Sequence, residues 1–268
     1  MTNSEYEFDG PDWEGQGYWG CLKPNSLHFD QDQWKQWAIA LEQAKQGIFE
    51  PVTSVLNIVW TTFDSVLEHI GYELIGDAGP DKVFEPMVDY IQTADRWPGR
   101  SGSCSNALWI RGRLADLPLM LSVYGEDPDN TDISNVSSCI SNLIGPTVAP
   151  NPQEVYANMS EYRKITMAAY DKAVDRWGGD QVLLYEGELL SVAFLARQIL
   201  KDLQVPTYFR HTLRRRFESI TGIDCTAFYE DEEIQPLEAA AIVETFLDSD
   251  YPDHFEPGVR YFFGHRIP

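Results

Sequence analysis

Apolar residues along the chain recur mostly at spacings of three and four, the period of a helix with one buried face. Asp30 or Asp32 can cap a first helix in which Trp34, Trp37, Ala38, Leu41 and Ala44 share a face, and Gly47 supplies a stop. Val52 to Ile70 is apolar and free of Pro and Gly, which predicts one long helix. Its β-branched first half (Val52, Thr53, Val55, Ile58, Val59, Thr61, Thr62) keeps a strand open there. A turn is expected at Gly76-Asp77-Ala78-Gly79-Pro80, then a helix from Asp81 to Thr93 with Val83, Met87, Val88 and Ile91 inward. Pro86 either kinks that helix or marks its true first turn.

The C-terminal half is more plainly helical. Met159 to Trp177 stops at Gly178-Gly179, and Glu186 to Leu203 sets Leu189, Val192, Ala193, Ala196, Ile199, Leu200 and Leu203 on one face. Tyr208, Phe209, Leu213, Phe217 and Ile220 define another helix that ends at Thr221-Gly222. A last helix has Pro236 in its first turn, a favoured place, and runs through Ala239, Ala240, Val243, Phe246 and Leu247 to Asp248. Gly258 to Ile267 (GVRYFFGHRI) is aromatic and reads as an extended tail or edge strand.

In the middle, Ser105 to Leu114, the turn Ala115-Asp116, and Leu117 to Tyr124 are followed by a loop starting at Gly125. Ile133 to Ile144 then ends in Gly145-Pro146, in register with Leu114-Ala115-Asp116. This succession of helix, small-residue turn, second apolar helix and acidic Asp-Pro loop resembles HEAT-like repeats over residues 50–222, most clearly at 105–145. The resemblance implies helical hairpins stacked in a short curved solenoid that binds macromolecules on one face. A competing reading makes 106–113 and 117–124 the strands of a hairpin, and the fold α+β. The expected fold class is mainly α, in a single domain spanning 1–268. That domain comprises an irregular acidic arm at 1–30, with a short strand around Tyr18 to Leu22, a helical body at 31–222, and an acidic C-terminal segment and tail at 223–268.

Composition changes the picture mainly through charge. Forty-two acidic residues face twenty basic ones, a net −22. A field of that sign disfavours nucleic acid, whose binding needs Lys and Arg to displace counterions, and it speeds encounter with a basic protein. No apolar run approaches the ~18 residues of a membrane span. The acidic N-terminus lacks the basic-then-apolar pattern of a secretory signal, so the cytoplasm is the expected location. The four cysteines (Cys21, Cys104, Cys139, Cys225) are far apart, which predicts reduced, buried thiols rather than a zinc site or disulfide framework.

Motifs for chemistry are sparse. Gly15-Gln16-Gly17-Tyr18-Trp19-Gly20 spells GxGxxG but lacks the flanking strand and helix that would place a pyrophosphate, so it reads as a glycine-rich arm. Ser101-Gly102-Ser103-Cys104-Ser105 reads as a helix cap. The five histidines form no HExxH or HxH. Asp250, Asp253, His254 and His265 are the one set that could converge on a hard metal, and scattered surface positions explain them as well. No cofactor, metal or catalytic residue is predicted.

Between Arg216 and Arg260 there is no Lys or Arg, while acids accumulate with Phe228, Tyr229, Tyr251 and Phe255 among them. Exposed aromatics would anchor a basic protein there and carboxylates would steer it. Tyr229, Glu230, Asp231, Glu232, Glu233, Asp248, Asp250 and Asp253 are the expected partner-binding residues. The alternative is a solvated acidic loop whose aromatics belong to the core. Arg210, Arg214, Arg215 and Arg216, just upstream, are expected to pair with this acidic segment, with binding of an anion as the alternative. The expected function is an acidic protein-binding module, for example an immunity protein or antitoxin that neutralises a basic toxin. A helical hydrolase with a nonstandard carboxylate and histidine site, or a scaffold subunit, are the alternatives.

Overall fold

Asp30 caps α1, Gln31–Lys45: its carboxylate accepts from the Asp32 and Gln33 amides. The computed structural model describes residues 30–93, 100–123, 132–146, 157–205, 211–230 and 233–268. The N-terminal arm with its GxGxxG, Arg210, Asp231 and Glu232 lies outside them. The described chain is mainly α-helical, as the periodicity predicts.

The apolar stretch after α1 is two helices rather than one: α2, Val52–Thr61, and α3, Ser65–Ala78. The break is made by Asp64. Fully buried, its carboxylate caps α3 through the Val66 and Leu67 amides and accepts from Trp34 Nε1 at 2.9 Å. Helix α3 also runs through the expected turn at Gly76-Asp77 to Ala78, because Gly76 packs closely against Ile110 of the next layer; a Cβ there would come within 2.6 Å of it. A 3₁₀ turn, Asp81–Val83, leads into α4, Phe84–Gln92, so Pro86 sits in the first turn.

Helix α5, Arg100–Arg111, a 3₁₀ turn at Leu114–Asp116, and α6, Leu117–Ser122, occupy the segment for which a β-hairpin was the alternative. The helix wins because Cys104, Ala107, Leu108 and Arg111, at helical spacing, are all buried. Ser105, expected in a cap, is itself inside α5 and fully buried. Helices α7, Asp132–Ile144, and α8, Met159–Trp177, follow as predicted, and α8 stops at a left-handed Gly178.

The predicted helix over 186–203 is half hairpin. Strands β1, Leu184–Tyr185, and β2, Glu188–Leu189, pair antiparallel, and only α9, Val192–Asp202, is helical. Glu186 and Gly187 both have positive φ (51° and 80°), the backbone of a tight two-residue hairpin turn. Helix α10, His211–Thr221, is followed by hairpin β3, Tyr229–Glu230, with β4, Glu233–Ile234. Helix α11, Pro236–Leu247, comes next. The aromatic tail is also a hairpin, β5, Tyr261–Phe262, with β6, His265–Arg266, turning at Phe263 and Gly264 (φ 47° and 79°).

The first and last hairpins do the same job. The Glu186 and Gly187 amides bond the Asn142 and Leu143 carbonyls at the end of α7. The Phe263 and Gly264 amides bond those of Ser219 and Ile220 at the end of α10. Each tip thus satisfies carbonyls that a helix C-terminus leaves open. The core is continuous from Trp34 to Ile267, with α3 packed against α2 and α5, α5 against α7, and α10 against α9, α3 and β5.

Candidate functional site

Arg214, Arg215 and Arg216 on α10 are each at most 4% exposed. Successive helical residues point about 100° apart, so the three guanidinium groups leave the helix in three directions. With Leu213, Phe217, Ser219, Ile220 and Thr221 also buried, α10 is enclosed around most of its girth. Arg215 lies between two carboxylates one turn apart on α3, with Nη1 2.6 Å from Glu73 Oε1 and Nη2 2.6 Å from Asp77 Oδ2. Arg216 donates to the Ile110 carbonyl of α5 and lies 3.5 Å from Asp77 Oδ1. Arg214 pairs with Glu218 at 2.7 Å and stands over the Tyr229 ring, 5.7 Å from its centroid. Arg214, Arg215 and Arg216 therefore form their ion pairs with α3 and with α10 itself, not with the acids of the C-terminal segment. The reason is burial: a guanidinium taken out of water needs an equally buried counter-charge, and Glu73 and Asp77 supply it.

A second ionic group lies beside it. Asp81 takes Arg111 at 3.0 Å, Arg113 at 2.6 Å and Arg260 at 3.8 Å. Partial burial would raise the Asp81 pKa, but these arginines together hold it below the usual carboxylate value. Arg260 also donates to the Gly76 and Gly79 carbonyls at 2.9 and 2.7 Å, at the C-terminus of α3, where the helix dipole favours a cation. Burial, then repulsion from Arg111, lowers the Arg260 pKa to about 9.

Next to the Arg215 bridge, α3, α5, α7 and α10 leave a cleft of about 390 Å³. Helix α3 contributes His69, Tyr72 and Glu73, and α5 contributes Ser103, Asn106 and Trp109. Cys139 and Asn142 come from α7, and Thr212 and Arg215 from α10. Burial pushes the Glu73 carboxyl up to about 7 against the attraction of Arg215, and Asp77 adds to the rise. His69 stands at the mouth, its Nε2 3.4 Å from Glu73 Oε1. Partial burial, then Arg215, lowers its pKa. The chemistry available is one carboxyl poised near neutrality, one fixed guanidinium, and a wall of hydroxyl and amide groups. No sequence motif marked this cleft. The one signal was a pair of acids four residues apart, Glu73 and Asp77, on the buried face of an apolar helix.

The residues singled out from sequence are at the other end of the chain. Glu230, Glu233, Asp248, Asp250 and Asp253 are exposed and Tyr229 is half-buried. Glu230 and Glu233 face each other across the β3–β4 pair, two like charges in direct register. The aromatics do not form an exposed anchor: Phe228 and Phe255 are buried, and Tyr251 donates to the Thr221 carbonyl at 2.8 Å and meets Phe246 and Phe255 edge-on. Helix α11 instead presents Leu237, Ala241, Glu244, Thr245 and Asp248 along one exposed face, with Leu237 81% exposed. Beside it runs an open trough of about 600 Å³ floored by Ile223, Ile242 and Phe246 and edged by Asp224. Among the described residues no group of three or more His, Cys, Asp or Glu is placed to hold a metal ion. His254 Nδ1 lies 3.1 Å from the Tyr251 carbonyl, whereas His265 packs against the Gly47 turn. Cys104, Cys139 and Cys225 are buried free thiols.

No family model, curated protein or solved structure matches the chain. Among the described residues no helix is long and apolar enough to cross a membrane.

Proposed function

We propose that the protein binds a basic protein partner through its acidic C-terminal face, built from the β3–β4 hairpin and the exposed side of α11. The observation that carries this reading is the absence of internal counter-charge. Among the described residues, none of Glu230, Glu233, Glu238, Glu244, Asp248, Asp250 and Asp253 makes an ion pair, because the arginines flanking them in sequence are turned inward. The cross-strand pair Glu230 and Glu233 makes the face self-repelling, a cost that a covering cation removes. The trough and Leu237 add the apolar area that a protein interface needs beside its charged rim. The finer form of the reading is an immunity protein or antitoxin that covers a cationic toxin.

The test is quantitative binding to the basic protein that co-purifies from the source cell. Affinity is expected to fall steeply with salt and to drop at least about tenfold when Glu230, Glu233, Glu244 and Asp248 become Gln or Asn together, with the melting temperature unchanged. Full, salt-independent affinity in that variant would overturn the proposal.

A further inference from the structure

We infer that the cleft between α3, α5, α7 and α10 is a binding site for a small organic cation, an ammonium or guanidinium group, received by Glu73. Glu73 lines the cleft and is 4% exposed. Its Oε1 is held by Arg215 at 2.6 Å, with His69 at 3.4 Å, but its buried Oε2 has no hydrogen-bond partner. Buried polar atoms are nearly always satisfied, so an unpartnered carboxylate oxygen on a buried residue that lines an open cavity points to a donor arriving from the cavity side. In its ionised form, which a bound cation favours, Glu73 only accepts, so the group it receives carries N–H or O–H. A cation makes the stronger, charge-assisted bond, and the net −22 of the chain concentrates cations and repels anions.

The rest of the cleft is built to hold a ligand in place. Arg215 is committed at both ends, to Glu73 and Asp77, so Glu73 is fixed in position and does not need to reorganise to accept a donor. Trp109 Nε1 donates to Asn106 Oδ1 at 2.6 Å, which leaves the Asn106 amide nitrogen, together with Asn142 of the same lining, for acceptors on the remainder of the molecule. A volume of about 390 Å³ falls within the range of small-molecule sites and exceeds the needs of one water. The site shares no residue with the acidic C-terminal face, and it stands whether or not that face binds a protein.

Titration calorimetry of the full chain with agmatine, at physiological salt, tests the inference. The expected result is one site per chain, weakened about tenfold or more by Glu73→Gln and by Ser103→Phe, and unchanged when Glu230, Glu233 and Glu244 are neutralised. Ser103→Phe fills the cleft from α5 without removing a charge, so the test survives if Glu73→Gln disturbs folding. A Gly-Arg-Gly amide in a parallel titration separates two sources of the same chemistry. Equal affinity points to an arginine side chain presented by a partner, and agmatine binding alone points to a free amine. No binding of either probe, binding unaffected by both cleft variants, loss only in the acidic-face variant, or equal binding of xylitol in place of the cation would each overturn it.

Discussion

Arg214, Arg215 and Arg216 stand only a short way upstream of Glu230 and Glu233, yet the two stretches solve opposite problems. The arginines are carried inside on a helix that is enclosed around most of its girth, and every one has a partner: two carboxylates, a backbone carbonyl or an i, i+4 glutamate. The acids remain outside on a two-residue ladder and a helix face, where the described residues offer no cation. Interior charge is therefore matched and geometrically fixed, whereas surface charge is unmatched and free. Fixed pairs hold a fold together because removing one member strands the other, while unmatched surface charge contributes little to stability and is available to something else.

The matched interior is most exposed to mutation at Arg215. Arg215→Met keeps much of the side chain's volume but leaves Glu73 and Asp77 buried without their main counter-charge. Urea denaturation is expected to show a loss of about 3–5 kcal/mol. A loss under about 1 kcal/mol would mean that the bridge is ornamental and that α10 is held by Leu213 and Phe217 alone.

A subtler change is expected from Glu73→Gln, and it concerns pH. Folding raises the Glu73 carboxyl from 4.5 to about 7, mainly by burial, with Arg215 opposing and Asp77 reinforcing the shift. Between those values the folded chain holds more of this proton than the unfolded chain, so the Glu73 contribution to stability falls as pH rises from about 4.5 to 7. His69 acts in the opposite sense: its lowered pKa means that stability is lost as pH falls below 6.5. Asp116 and Glu218, both raised by burial, act with Glu73. The difference between parent and Glu73→Gln isolates the one carboxyl. The parent should gain on the variant as pH is lowered from 7 towards 4.5, read as the difference in melting temperature across a pH series. Parallel curves would show that Glu73 titrates as an ordinary glutamate.

These two regions are unequally legible in the sequence, for a physical reason. The helices themselves were legible, because each buries one face against neighbours and the 3.6-residue period survives in the pattern; α1, α7, α8 and α11 lie close to where Trp34, Ile144, Gly178 and Pro236 put them. Helix ends governed by distant partners were not. Asp64 breaks the long apolar run because it caps α3 while Trp34 donates to it, and Glu186-Gly187 turns because its amides are taken up at the end of α7. Neither partner is near in sequence. The acidic face was visible because exposure needs no partner. The cleft was hidden because Glu73 lies beyond the expected end of the apolar helix and Asp77 in an expected turn, while their partner Arg215 comes from the far half of the chain. Tertiary pairing of charges has no period, and a single sequence does not display it.

The smallest expected effect tests the surface half of the comparison. Glu230→Lys converts the like-charged cross-strand pair with Glu233 into an opposite-charged one. Facing pairs of this kind differ by about 0.2–1 kcal/mol, so the variant should melt slightly higher than the parent rather than lower. Among the described residues Glu230 makes no ion pair that the change would break, and its side chain is exposed, so no compensating loss is expected. The gain should shrink as salt is raised, since exposed charges are screened over about 8–10 Å at ordinary ionic strength. A stabilised variant that has lost affinity for the basic partner would mean that the acids are kept at the expense of stability because they bind. A destabilised variant would show instead that the β3–β4 hairpin depends on Glu230, which would move this face from the unmatched to the matched side of the comparison.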